Sequence, residues 1–225
     1  MFVQGRAALL GTADTDKEHA MQIILTRHGE VEGIHPERFR GRMELALTPL
    51  GRLQATAVAG RIAAEFTPQA VYTSPMGRCR ETGAEIAAAC GLSAQVLDGV
   101  NDLDYGDWQW KTHEEVKAAH PQTYALWKSA PQWVRFPGGE SLQDLALRTA
   151  DGLRALLQRH ADHTVVLVGH DSVNRALLLH ALDMPLSAYW RITQNPCCLN
   201  LFSVDTQGTV SLQRVNDTAH LRDLK

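Results

Sequence analysis

Short apolar runs alternate with helical segments along most of this chain, and that alternation predicts an α/β fold. Three observations carry the expectation. Runs such as Met21 to Thr26 (MQIILT) and Thr164 to Val168 (TVVLV) are short and continuously apolar, as buried strands of a parallel sheet are. The stretches between the runs open on helix caps and prolines. From 98 to 140 the alternation breaks, and four of the five tryptophans (Trp108, Trp110, Trp127, Trp133) gather there with Tyr105 and Tyr124. The architecture that follows is a three-layer α/β/α sandwich with a mostly parallel central sheet and a helical lid insertion.

Residues 1–20 carry a weak apolar patch (Ala7 to Leu10) followed by Asp14, Asp16, Lys17 and Glu18. They lack the basic start and sustained apolar run of a secretion signal, so they read as a loosely ordered extension. Residues 21–225 are expected to form one domain. Its first strand is Met21 to Thr26. Thr48-Pro49, a cap followed by proline at the first helical position, opens a helix to about Phe66. Ala70 to Thr73 is the second strand. Ser74-Pro75 repeats the cap-then-proline signal and predicts a helix from there to Gly91. Gln95 to Leu97 is a short third strand, and 98–140 is a mostly helical insertion with loops. Ser141-x-x-Asp144 is a capping box, with Leu142, Leu145, Leu153 and Leu156 at helical spacing toward His160. Thr164 to Val168 is followed by a helix from Asp171 to about Leu182. Leu199 to Val204 and Thr209 to Val215, with Gln207-Gly208 between them, read as a terminal hairpin.

Composition narrows the function classes. The chain has 225 residues, 44% of them hydrophobic and 21% charged, with a formal net charge of −3. That is globular composition, and such a chain buries enough surface to fold without a disulfide or metal staple. No apolar stretch approaches the ~18 residues of a membrane span, and the mixed charge lacks the basic face of a nucleic-acid binder. Cys79, Cys90, Cys197 and Cys198 match neither a CxxC pair nor zinc spacing. They read as free thiols in a reducing compartment, so the chain is expected to be cytoplasmic, with no metal and no cofactor.

Three segments stand directly after expected strands, where open α/β sheets bind ligands. They are Thr26-Arg27-His28-Gly29-Glu30, Thr73-Ser74-Pro75-Met76-Gly77-Arg78 and Val168-Gly169-His170-Asp171. Together they offer two arginines and two histidines. Arg27 and Arg78 supply planar, permanently charged forks that match phosphate oxygens. A histidine that is neutral near pH 7 has a free lone pair that can attack phosphorus, and a second can donate to the same oxygens. Phosphoryl transfer needs little more than in-line geometry, charge neutralisation and an acid for the leaving alkoxide. Each element alone is weak; their conjunction carries the reading.

The motifs also resemble a known family. LTRHGE (25–30), GRMELALTPLGRLQA (41–55), VYTSPMGRCRET (71–82), FPGGES (136–141) and VVLVGHDSVNRAL (165–177) are similar, in order, to segments of the histidine phosphatase superfamily, phosphoglycerate mutase-like branch. The resemblance implies His28 as nucleophile, with Arg27, Arg78 and His170 holding the phosphate, in a metal-independent reaction through phosphohistidine. The general acid it implies is Asp102, where the branch usually has glutamate. Asp171 is the rival, since a sister branch uses an aspartate directly after its second histidine; its plainer role is an N-cap. Val31 and Ile34 depart from the family's polar residues at those positions. Leu103 stands where mutases carry a carboxylate-binding arginine, which favours a phosphatase over mutase-type transfer to the substrate.

The expectation is therefore a cytoplasmic phosphomonoesterase acting on a small phosphorylated substrate. Phosphoglycerate mutase-type transfer is the alternative, and a catalytically idle phospho-ligand or partner-binding protein the second. No nucleic-acid or membrane partner is expected; the terminal strands leave a homodimer open. The insertion is expected to cover the phosphate. Its tryptophans are either the core of a small subdomain or a stacking wall. Arg135, Asp104 and Asp107, and His113, His120, His160 and His163, read as surface residues, and Cys79 as a buried inert thiol.

Overall fold

The structure, a computed structural model, describes residues 20–224. The extension expected over 1–20 lies outside the described residues apart from Ala20. Six strands make one sheet in the order β3-β2-β4-β1-β5-β6. They are β1 (Met21–Arg27), β2 (Ala70–Thr73), β3 (Ala94–Val96), β4 (Thr164–Gly169), β5 (Leu199–Val204) and β6 (Val210–Asp217). β1, β4, β2 and β3 pair in parallel, while β5 pairs antiparallel with both β1 and β6. The sheet is thus mostly parallel, and the expected terminal hairpin forms one edge.

The strands are apolar on both faces because helices cover both. Ile23, Leu25, Val165 and Leu167 point to one side, where α5 (Leu142–Arg159) and α6 (Asp171–Ala181) pack. Ile24, Val71, Val166 and Val168 point to the other, against α1 (Pro49–Glu65) and α2 (Gly77–Ala89). The alternation is the period-2 pleat of a strand buried on two sides.

The local capping signals are used where nothing competes for them. The Thr48 hydroxyl accepts from the Gly51 N–H at 3.0 Å and starts α1. Ser141 and Asp144 form the expected capping box at the start of α5. Ser74-Pro75 behaves differently: α2 begins at Gly77, after Met76, with no side-chain cap. The Ser74 hydroxyl lies 2.7 Å from His170 Nε2 and keeps only a long local bond, accepting from the Met76 N–H at 3.4 Å.

The segment 98–140 is built of 3-10 turns, loops and two short helices, α3 (His113–Ala119) and α4 (Pro121–Ser129). Its aromatics divide. Trp108 and Trp127 are buried with Phe136 at ring distances near 5.1 Å, so they form a core. Trp110 is half-buried under Arg38, and Trp133 is 72% exposed. Among the described residues no helix is long and apolar enough to cross a membrane.

Candidate active site

The strand order makes the site. β1 and β4 are neighbours in parallel register, with Arg27 opposite Gly169. His28 and His170 therefore leave the sheet side by side, their ring centroids 5.2 Å apart. β2 lies on the other side of β4, so Ser74 and the start of α2 arrive at the same end. The expected strand-end residues Arg27, His28, Arg78 and His170 are brought together, and all four are buried.

His28 is held on one nitrogen. Its Nδ1 lies 2.7 Å from the Gly29 carbonyl, which can only accept, so Nδ1 carries the proton and Nε2 keeps its lone pair. Burial first, then the charges of Arg78, His170 and Arg27, hold its imidazole well below the usual range. Gly29 is required by close approach: a Cβ there would stand 2.3 Å from the Gly51 carbonyl oxygen at the start of α1.

Arg27 donates from Nη1 to the Gln194 carbonyl (2.6 Å), and its buried Nε has no partner among the described residues. Arg78 is fully buried in the first turn of α2. It donates to the carbonyls of Met43 (2.7 Å) and Gly41 (2.6 Å) and to Asp102 Oδ2 (2.9 Å). His170 faces Ser74 on Nε2, and its Nδ1 is 3.3 Å from Asp102 Oδ2. Burial and the nearby arginines hold His170 well below the usual imidazole range as well.

Both candidate acids reach the cleft. Asp102 is buried, contacts Arg78 and His170, and accepts on Oδ1 from Ser172 Oγ (2.6 Å) and the Leu103 N–H (2.8 Å). Asp171 begins α6 but does not cap it: the cap position is His170, and the Asp171 carboxylate takes Arg175 at 3.0 Å instead.

Several site residues escaped the sequence reading. Glu37, Arg38 and Arg40, from the loop after β1, line the cleft, as do Arg175 and Trp190. His113 also lines it, contrary to a surface placement; it stacks on Phe39 at 4.4 Å and faces Glu37 at 3.5 Å. His120 stacks on Trp108 and His160 faces the Tyr72 hydroxyl at 2.8 Å, so of that set only His163 is exposed. Arg148, on α5, grips the loop that carries Asp102. These positions have no periodic or capping signature. Only Ser74 carried a usable signal, its place directly after a strand. Arg135 pairs with Asp144 at the surface, Asp104 pairs with Arg42 at 3.5 Å, and Cys79 is buried with its thiol pushed well up by desolvation.

The comparisons agree with one another. A family model described as histidine phosphatase superfamily (branch 1) matches residues 23–218. Phosphoserine phosphatase 1 of Hydrogenobacter thermophilus is 31% identical over 201 residues, covering 89% of this chain and 94% of that protein. Metal-independent phosphoserine phosphatase of Arabidopsis thaliana is 31% identical over 207 residues, covering 91% and 78%. Among solved structures, Bacillus stearothermophilus YhfR superposes with a TM-score of 0.84 at 27% identity, covering 90% of this chain and 100% of that one.

Proposed function

Since the chain belongs to the histidine phosphatase superfamily (branch 1) and is a phosphoric monoester hydrolase, we propose that it hydrolyses small phosphomonoesters through a phosphohistidine formed on His28. One observation carries the reading: the Gly29 carbonyl accepts from Nδ1–H, which leaves Nε2 unprotonated beside the charges of Arg27, Arg78 and His170.

In this reading Nε2 of His28 attacks phosphorus in line, the ester P–O bond breaks, and its electron pair leaves on the alcohol oxygen. Arg27 and Arg78 neutralise the equatorial oxygens, and His170 donates to one of them from Nδ1. Asp102 protonates the leaving oxygen. Water then attacks phosphorus, the P–N bond breaks, and Asp102 takes the water proton. Asp102 is favoured over Asp171 because it touches Arg78 and His170, two of the proposed phosphate ligands, whereas the Asp171 carboxylate pairs with Arg175, outside that set. Leu103, fully buried, offers no cation of the kind mutases use, which supports hydrolysis over return of the phosphoryl group.

The test is phosphate release from phosphoserine, 3-phosphoglycerate, glycerol 3-phosphate and 4-nitrophenyl phosphate in excess chelator, with wild type beside His28→Ala. Release by wild type alone, with an acid-labile phosphoprotein trapped on rapid quenching, is the expected result. Undiminished release by His28→Ala would sink the assignment.

A further inference from the structure

Most of the fixed charge in the cleft is already matched. Glu37 faces His113 at 3.5 Å, and Asp171 holds Arg175 at 3.0 Å. Arg38 approaches Glu115 at 4.0 Å, donates to the Trp110 carbonyl at 2.7 Å and lies over the Trp110 ring. Arg78 has Asp102. Among the described residues, two guanidinium groups of the cleft have carbonyl partners only. Arg27 holds the Gln194 carbonyl; Arg40 holds those of Gly33 and Arg38.

Arg40 uses Nη1 for both carbonyls, and neither its Nε nor its Nη2 has a partner among the described residues. The Nε–Nη2 edge is one of the forks with which arginine grips a carboxylate through two parallel bonds. Arg40 is half-buried in the cleft wall, so this edge stays open to a ligand of opposite sign.

Arg40 lines the same cleft as His28, Asp102 and Asp171. The next residue, Gly41, packs so closely on the Leu103 carbonyl that a Cβ there would stand 2.9 Å from its oxygen, which sets this stretch beside the loop that carries Asp102. Burial and the like charge of Arg27 lower the affinity of Arg40 for its own proton.

We propose that Arg40 is a specificity-determining residue that binds a carboxylate on the alcohol half of the substrate. One unmatched positive charge suits a carboxylate monoanion better than a second phosphate dianion. The cation that mutases place after the acid is absent here, at Leu103, and Arg40 supplies one from the loop after β1. This assignment rests on the reading of His28, Arg27, Arg78 and His170 as the phosphoryl site.

The experiment compares 3-phosphoglycerate with glycerol 3-phosphate, which has a hydroxymethyl group in place of the carboxylate. The quantity read is the ratio of their kcat/KM values in wild type, Arg40→Gln and Arg40→Lys. Losing a charge-assisted bond pair is worth about tenfold or more, so the ratio falls by at least ~10-fold in Arg40→Gln. Arg40→Lys, which keeps the charge but not the fork, recovers part of it. A ratio unchanged within about twofold, or a parallel fall on both esters, overturns the proposal. The same two esters are titrated calorimetrically into His28→Ala with and without Arg40→Gln. That binding ratio decides the role of Arg40 even if His28→Ala still releases phosphate and the nucleophile assignment fails. Circular dichroism melts confirm that each variant is folded.

Discussion

Arg148→Lys isolates the device that holds the proposed acid in place. Arg148, on α5, spends every N–H of its guanidinium. Nε and Nη2 hold the two Glu140 carboxylate oxygens at 2.9 Å each. Nη1 donates to the carbonyls of Gly99 (2.9 Å) and Asn101 (2.6 Å), and Nη2 to that of Asp102 (2.9 Å). The three carbonyls belong to the segment that presents Asp102. A lysine ammonium has three donors on one nitrogen and no plane, so it can hold Glu140 or the carbonyls but not both. Arg42 still donates to the Asp102 carbonyl and to Glu140, so at most two groups, the Gly99 and Asn101 carbonyls, lose their donor at ~1 kcal/mol each. We expect a destabilisation of about 2 kcal/mol, which in a chain of this size lowers the melting temperature by roughly 4–8 °C. Because the loosened loop carries the acid, kcat for alkyl phosphates falls by about tenfold, and for 4-nitrophenyl phosphate by much less. Calorimetry and steady-state kinetics on both ester types read the two effects. A melting temperature within about 2 °C of wild type would refute the energetic reasoning, and an equal loss on alkyl and aryl esters would refute the link to Asp102.

Asp102→Asn is expected to slow alkyl esters by roughly 10²–10⁴-fold and aryl esters far less, since aryl leaving groups depart without a proton; equal losses on the two would remove Asp102 from the role of acid. Burial and neighbouring charges hold the His28 imidazole below its usual range, and its neutral form is the proposed nucleophile. The kcat/KM profile should therefore stay flat as pH falls through ~6.5, with its acid limb lower still, and half-loss of activity at ~6.5 would contradict the buried geometry. The same depression implies that folding stability declines as pH falls below ~6.5, where the unfolded chain takes up protons that buried His28 and His170 refuse. Two glycines of α1 should respond oppositely to alanine. Gly60→Ala, with open space around the new Cβ, stabilises by about 0.5–1 kcal/mol. Gly51→Ala places a Cβ 2.1 Å from the Glu30 carbonyl oxygen and destabilises by roughly 1–3 kcal/mol. Paired thermal melts separate the two, and a stabilised Gly51→Ala would show that the loop after His28 yields freely.

The elements whose reasons are local were legible. A run such as TVVLV is short, rich in β-branched residues and bounded by turn residues, which marks it as a strand buried on both faces. Thr48-Pro49 and Ser141-x-x-Asp144 cap helices with atoms a few residues apart. Where local grammar met a distant demand, it lost. Ser74-Pro75 carries the same start signal as Thr48-Pro49, yet the Ser74 hydroxyl serves His170, 96 residues away in sequence, and α2 starts later. Asp171 could have capped α6, but Arg175 holds it.

The residue types needed for phosphoryl chemistry, and their place after three strands, were determined by the sequence alone, because motif and strand end are adjacent along the chain. The order β3-β2-β4-β1-β5-β6 was not. That order sets His28 beside His170, brings Arg78 onto Asp102, and lets Arg148 reach across to the acid loop. Arg40, His113 and Arg148 carry no periodicity, cap or turn signal that marks them as site residues. Their roles come from pairings between residues far apart in sequence, and only the packing of the whole sheet and its insertion decides which distant groups meet.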